Sequence, residues 1–119
     1  MIDLKPALRA ALSSLPAAVP PSWPLEEFAL PVITVTDESS AVLASADGAP
    51  YLEEGVWSVT VLSSDPDQLE NLSLAADQKL TALGLRRTGC QDSFDENARA
   101  WQKALSYRAV LHGDTIYSA

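Results

Sequence analysis

The side chains able to do chemistry in this 119-residue chain are few and poorly spaced for one another. His112 is its one histidine and Cys90 its one cysteine. A metal site built on either would need carboxylates at helix or hairpin spacing around it, and no such set of ligand types stands there. A lone histidine near a strand end reads as a surface residue. A single cysteine forms no internal disulfide, which fits a fold that does not depend on oxidation, and Cys90 itself reads as a small, inert strand residue. The run Asp92-Ser93-Phe94-Asp95-Glu96-Asn97 opens like a calcium loop and fails as one: its third position is Phe94, its sixth is Asn97 where glycine is needed, and its twelfth is Lys103 instead of glutamate. Glu53 and Glu54, adjacent on a strand, point to opposite faces and do not converge as an acid and base pair. The glycines (48, 55, 84, 89 and 113) are too dispersed to cradle a phosphate, and there is no Gly-x-Ser-x-Gly elbow. No catalytic, cofactor-binding or metal-ligating residue is assigned, and the expectation is a protein that is not an enzyme and needs no cofactor.

What the chain does carry is a lopsided charge. From Ala10 to Gln78 there is no lysine or arginine, while the same stretch holds eleven carboxylates. All eight basic residues lie outside it, six of them (Lys79, Arg86, Arg87, Arg99, Lys103 and Arg108) in the last third. A net charge of −8 repels phosphate backbones. A basic patch gathered from the later strands would meet carboxylates more readily than DNA, so no sequence-specific nucleic-acid partner is expected. The plain reading of the acidic stretch is a solvated surface. No run approaches the roughly 20 apolar residues of a membrane span, and the start Met1-Ile2-Asp3 does not read as a secretory signal.

The elements that would position these residues follow from pattern. At 47% apolar and 20% charged residues the composition is that of a folded chain, and its length suits one domain, residues 1–119. Asp3 can cap a helix over 3–15 whose Leu4, Leu8, Ala11, Leu12 and Leu15 share one face. Pro16, Pro20, Pro21 and Pro24 make residues 16–31 an extended, pinned connector with Trp23 and Phe28 as apolar anchors. Strands are expected within 32–63: Val32 to Thr36, a weaker one from Ala41 to Ser45, and, after an Asp47-Gly48-Ala49-Pro50 turn, Leu52 to Ser63 with Trp57, Val59 and Val61 on its buried face. Asp65, Pro66 and Gln68 start a helix over 66–83 with a capping box, and Gly84 ends it with Leu85 folding back. Strands return over 85–118: Leu85 to Gln91, a polar turn from Asp92 to Asn97, an alternating strand from about Trp101, and a short closing one at Thr115-Ile116-Tyr117. Ala98 to Leu105 also has helical propensity. The order predicts an α+β sandwich of two layers, two helices on one mostly antiparallel or mixed sheet of four to six strands.

This arrangement resembles the small tail-completion or tail-terminator proteins of long-tailed bacteriophages, also called tail-to-head joining proteins. The matching pieces are the helix near Met1, the strand Val56-Trp57-Ser58-Val59-Thr60-Val61, the helix ending Leu80-Thr81-Ala82-Leu83-Gly84-Leu85-Arg86-Arg87, and the ending Lys103-Ala104-Leu105-Ser106-Tyr107-Arg108-Ala109-Val110 followed by Thr115-Ile116-Tyr117. The resemblance covers nearly the whole chain and is one of fold and size, without a catalytic signature. It implies a virion protein of the tail or neck, assembled in the host cytoplasm as a ring, usually of six copies, that caps the tail tube. The partners it implies are the major tail tube protein and the head-completion or connector protein. The proline-rich connector and the acidic first half are not family features.

A head-to-tail ring needs two complementary patches on each subunit. Carboxylates of the first half (Glu26, Glu27, Asp37, Glu53 and Glu54), facing Arg86, Arg87 or Arg108 of a neighbour, would supply them, with Trp23 and Phe28 as aromatic anchors. An acidic lumen would also let DNA slide without sticking. Two other readings stay open: a cytoplasmic α+β binding module that holds a small ligand or a basic protein through the same acidic surface, and, more weakly, an enzyme using scattered carboxylates.

Overall fold

In the computed structural model, residues 4–20, 30–46, 49–96, 99–112 and 115–117 are described. Leu4, Leu8 and Leu12, four residues apart, put one buried leucine on each turn of α1 (Lys5–Leu12), and Pro6 is tolerated because it falls in the first turn. The helix is shorter than its apolar pattern suggested. Leu4 occupies the N-cap with no side-chain hydrogen bond, and the expected cap, Asp3, lies outside the described residues. At the other end the Ser13 hydroxyl donates to the Ala10 carbonyl at 2.7 Å and the chain turns off. Part of the expected connector is pinned by backbone pairing: Ala18 forms a parallel bridge with Val32, and the Ile33 N–H donates to the Ala18 carbonyl at 2.8 Å.

Two 15-residue strands follow, β1 (Val32–Ala46) and β2 (Ala49–Ser63). The sequence suggested a break near residues 37 to 40. Instead β1 runs on, absorbing the irregular stretch as register shifts between Asp37 and Ser39, Val42 and Ala44, and Ala44 and Ala46. Ala49 and Pro50, expected in a turn, begin β2, while Asp47 and Gly48 lie outside the described residues. A proline is tolerated in this otherwise central strand because it is the second residue of β2 and, among the described residues, belongs to none of the register pairs on either side of the strand.

Helix α2 (Pro66–Ala82) starts as its sequence dictates, with Asp65 at the N-cap accepting from the Asp67 N–H at 3.0 Å and Pro66 at the first position. The expected capping box does not form. Gln68 instead accepts at 2.6 Å from the hydroxyl of Ser63, whose oxygen also accepts from the Asp65 N–H, so the buried serine at the end of β2 takes over the reciprocal contact. At the C-terminus Gly84 adopts φ 104, the Leu85 N–H bonds the Leu80 carbonyl and the Gly84 N–H bonds that of Thr81: the Schellman geometry that the Gly-Leu pair predicts.

The remaining strands are β3 (Arg86–Asp95), β4 (Ala100–His112) and β5 (Thr115–Tyr117). The polar run from Asp92 to Asp95 is therefore strand rather than turn, because Asp92, Ser93, Phe94 and Asp95 pair with Lys103, Gln102, Trp101 and Ala100. The helical propensity near Ala100 is overridden by two-sided pairing, since β4 lies between β2 and β3. The sheet order is β1-β2-β4-β3, with β5 beside β4, and every strand pairing is antiparallel. Both helices pack on one face, against Ile33 and Val35 of β1, Trp57, Val59 and Val61 of β2, and Leu105, Tyr107, Ala109 and Leu111 of β4. This is the expected α+β architecture of two helices on one antiparallel sheet. The middle of the opposite face carries short side chains, with Thr34 and Thr60 buried and Thr36, Ser58, Ala104 and Ser106 half-buried, between a small buried cluster of Val32, Leu62 and Ala100 at one end and the Glu54–Arg108 pair at the other. Neither helix is on it. No helix among the described residues is long and apolar enough to cross a membrane.

Two details fix how the layers meet. The indole of Trp57, 3% exposed, lies over Gly55, so that a methyl group added there would come within 2.7 Å of ring carbon Cζ2. Between the layers, the fully buried Tyr107 donates its hydroxyl to Asp77 Oδ1 of α2 at 2.7 Å, and Arg87 Nη1 stands 3.6 Å from the other oxygen of that carboxylate. Burial first, and then the hydrogen bond to Asp77, push the Tyr107 phenol well above its ordinary 10.0. Gly55→Ala is expected to destabilise the protein by about 1–3 kcal/mol through overpacking, measured by urea unfolding, and the same substitution should cost much less in a Trp57→Leu background, where the ring it meets is gone. Tyr107→Phe should cost about 1.5–3 kcal/mol at pH 7. Because the folded pKa is raised, the gap between wild type and Tyr107→Phe should hold constant at lower pH and shrink as pH climbs above about 10, where the unfolded phenol ionises and the folded one does not.

Candidate functional site

The expected chemistry-bearing residues end up apart. Cys90 is exposed on β3, an edge strand, while His112 is the last residue of β4. Among the described residues no cluster of three or more His, Cys, Asp or Glu side chains is placed to hold a metal ion. Glu53 and Glu54 face opposite sides of β2 as expected: Glu53 is 4% exposed, while Glu54 reaches across the other face to Arg108. A shallow surface hollow lined by Pro16, Asp65, Gln68, Asn71 and Leu72 sits beside the start of α2 and brings no acid and base together.

The candidate interface residues are distributed differently from what charge order along the chain suggests. Trp23, Glu26, Glu27 and Phe28 lie outside the described residues. The others largely pair within the chain. Asp37 of β1 meets Lys5 of α1 at 3.1 Å, tying the first helix to the sheet edge. Arg108 Nη2 donates to Glu54 Oε2 across β4 and β2, and Arg87 engages Asp77. Thus one of the pairings expected between neighbouring subunits, Arg108 with Glu54, forms inside one subunit, and Asp37 and Arg87 are engaged there by other partners. Arg86 is the exception. It lies directly across from Arg108 in the β3–β4 register, is exposed, and makes no ion pair among the described residues. Two like charges in register are unfavourable unless compensated, and Glu54 compensates only Arg108.

The sequence reading missed the most buried cation. Lys103 sits on the helix-facing side of β4 between Trp101 and Leu105, its side chain only 11% exposed, and its ammonium bridges Glu70 of α2 and, at 3.3 Å, Asp92 of β3. The hydrogen bond to Glu70 raises its pKa above 10.5; desolvation opposes this, and the bond and charge of Asp92 add to it. A raised lysine pKa contributes stability that is present below 10.5 and is lost as pH rises past the folded value. The signal for this bridge was in the strand itself: a lysine at an inward position of an alternating apolar strand requires a carboxylate opposite it.

The other missed feature is an aromatic pair. Phe94 of β3 and Trp101 of β4 are register partners with ring centroids 5.0 Å apart at 67°, an edge-to-face contact. They are 48% and 43% exposed, because α2 begins after them and leaves this end of its sheet face uncovered.

The fold has a counterpart among solved structures. No protein-family model and no curated protein sequence matches the chain. In fold, the chain is similar to one described as "Virion of native gene transfer agent (GTA) particle": the TM-score is 0.62, sequence identity is 19%, and the match covers 90% of this chain and 86% of that one.

Proposed function

We propose that this protein is a structural component of a phage-like virion, positioned at the tail or neck, where copies of it form a ring that caps the tail tube and joins it to the head connector. The observation that carries the reading is the agreement in fold with a chain of a gene transfer agent virion over 90% of the length. The element order and the segments Val56 to Val61, Leu80 to Arg87 and Lys103 to Val110, which carry the resemblance to tail terminators, support the tail position. The role is mechanical and non-enzymatic. A ring of a protein with net charge −8 surrounds DNA without holding it, since a negative wall releases no counterions from the phosphates and gains nothing from contact. The partners are other copies of the chain, a tail tube protein and a head-completion protein.

Electron microscopy of the purified protein, alone and mixed with tail tubes, tests this. Closed rings in solution or seated on tube ends are expected. Particles that stay monomeric by light scattering at low and high salt, and that leave tube ends bare, would remove the reading.

A further inference from the structure

The exposed aromatic pair and Arg86, the sheet arginine with no ion pair among the described residues, stand at opposite ends of α2. The helix starts three residues after Ser63, which is in register with Trp101, and runs back along the sheet; β3 then begins at Arg86 and returns to the starting end. Its 17 residues span about 25 Å. The starting end, where Phe94 and Trp101 lie, carries Asp65, Asp67, Glu70, Asp92, Asp95 and Glu96, six carboxylates against the two cations Lys103 and Arg99; Asp95, in register with Ala100, stands on the sheet face away from the helices. At the far end Lys79, Arg86 and Arg87 outnumber Asp77, with Arg86, in register with Arg108, on the sheet face away from the helices, and Leu83, at 39% exposure, is the large apolar side chain left open there. Of these cations, Lys79 and Arg86 make no ion pair among the described residues.

The helix dipole accounts for acids in the first turn of α2 and a lysine in the last. It does not account for the acids of β3, and it does not account for leaving two aromatic rings half in water. Exposed aromatics rimmed by charge of one sign mark a protein-binding surface. The same molecule carries a smaller apolar side chain rimmed by the opposite sign 25 Å away, as the length of α2 requires. A surface whose complement lies elsewhere on the same chain makes a heterologous contact, which closes into a ring when the rotation between copies permits.

We propose that the two ends of α2 are the two halves of one subunit–subunit interface: Phe94 and Trp101, at the acidic end, receive Leu83 and Lys79 of a second copy of this chain, and Arg86 of that copy reaches the same acidic end from the other face of the sheet. The occupant is another copy because the charge and apolar complement of the aromatic end is present on this molecule. This deepens the ring reading above and rests on it, while replacing the first-half carboxylates with a different acidic surface. Arg87 and Arg108, already held by Asp77 and Glu54, act within the subunit; Arg86 is the arginine that reaches the neighbour.

Charge reversal at each end tests it. Lys79→Glu with Arg86→Glu makes both ends acidic, and Asp67→Lys with Glu96→Lys cancels the negative excess of the aromatic end; none of these four side chains holds a bridge between helix and sheet. Assembly is read by analytical ultracentrifugation, with circular dichroism melting to confirm that each variant is folded. Each double variant should need at least ten-fold more protein than wild type to assemble, and an equimolar mixture of the two should form a one-to-one dimer near the wild-type concentration, through the native aromatic end of the first and the native cationic end of the second. Phe94→Ser, at an exposed position, should weaken assembly without lowering the melting temperature by more than a few degrees. If wild type assembles and both reversals assemble equally well, this interface is wrong and the ring reading stands. If wild type does not assemble under any salt condition, alone or on tail tubes, both fail.

Discussion

The structure depends on covering one face of a sheet. The inward positions of β2 and β4, Trp57, Val59 and Val61 with Leu105, Tyr107 and Leu111, form an apolar surface that β1 widens with Ile33 and Val35. The leucines of α1 and the Leu69, Leu72, Ala76 and Leu80 stripe of α2 cover it. Hydrophobic contact fixes little about where along the sheet a helix comes to rest, because it is non-directional. The polar bridges supply that: Glu70 to Lys103 near the start of α2 and Asp77 to Tyr107 and Arg87 near its end hold two points of the helix to two points of β4 and β3. With both points held, the helix cannot slide by a turn without unpairing a buried lysine or a buried phenol, each costly to leave alone.

That fixed position decides what is left at each end. The α2-to-β3 turn at Gly84 starts β3 level with the last turn of the helix, with Arg87 toward it and Arg86 on the other face of the sheet, and β3 returns its acids toward the first turn, so the cations and carboxylates concentrate at opposite ends of one helix. The helix also stops short of Phe94 and Trp101. The lopsided charge of the sequence is therefore only in part a matter of first half against last third. Much of that contrast is consumed inside the subunit, where Lys5 meets Asp37, Lys103 meets Glu70, Arg87 meets Asp77 and Arg108 meets Glu54. The imbalance that remains runs along α2.

The sequence disclosed the parts of this that are local. The start of α2 at Asp65-Pro66 and its end at Gly84-Leu85 follow from capping chemistry that needs no tertiary context, and the alternation around Trp57 follows from the two-residue period of a half-buried strand. It misled where neighbours decide. The polar run from Asp92 to Asp95 has turn composition, yet pairing with β4 makes it strand; the irregular middle of β1 looks like a break, yet β2 carries it through. The same holds for the candidate surface. That Glu53 and Glu54 face apart could be read from their adjacency, whereas the engagement of Arg87 and Arg108 within the subunit, and the meeting of Phe94 with Trp101, depend on the β3–β4 register that no local pattern specifies.

The account makes one claim above the others, that the aromatic end of α2 in one copy meets the cationic end in the next. Disulfide trapping measures that contact directly. With Cys90 replaced by serine, one variant carries Leu83→Cys and another Phe94→Cys. Mild oxidation of the mixture should give a covalent dimer containing one chain of each, absent from either variant alone, and a chain bearing both cysteines should give a ladder that ends at a closed ring. Mixtures that yield only the dimers each variant forms by itself, in a preparation that microscopy nonetheless finds assembled, would contradict it.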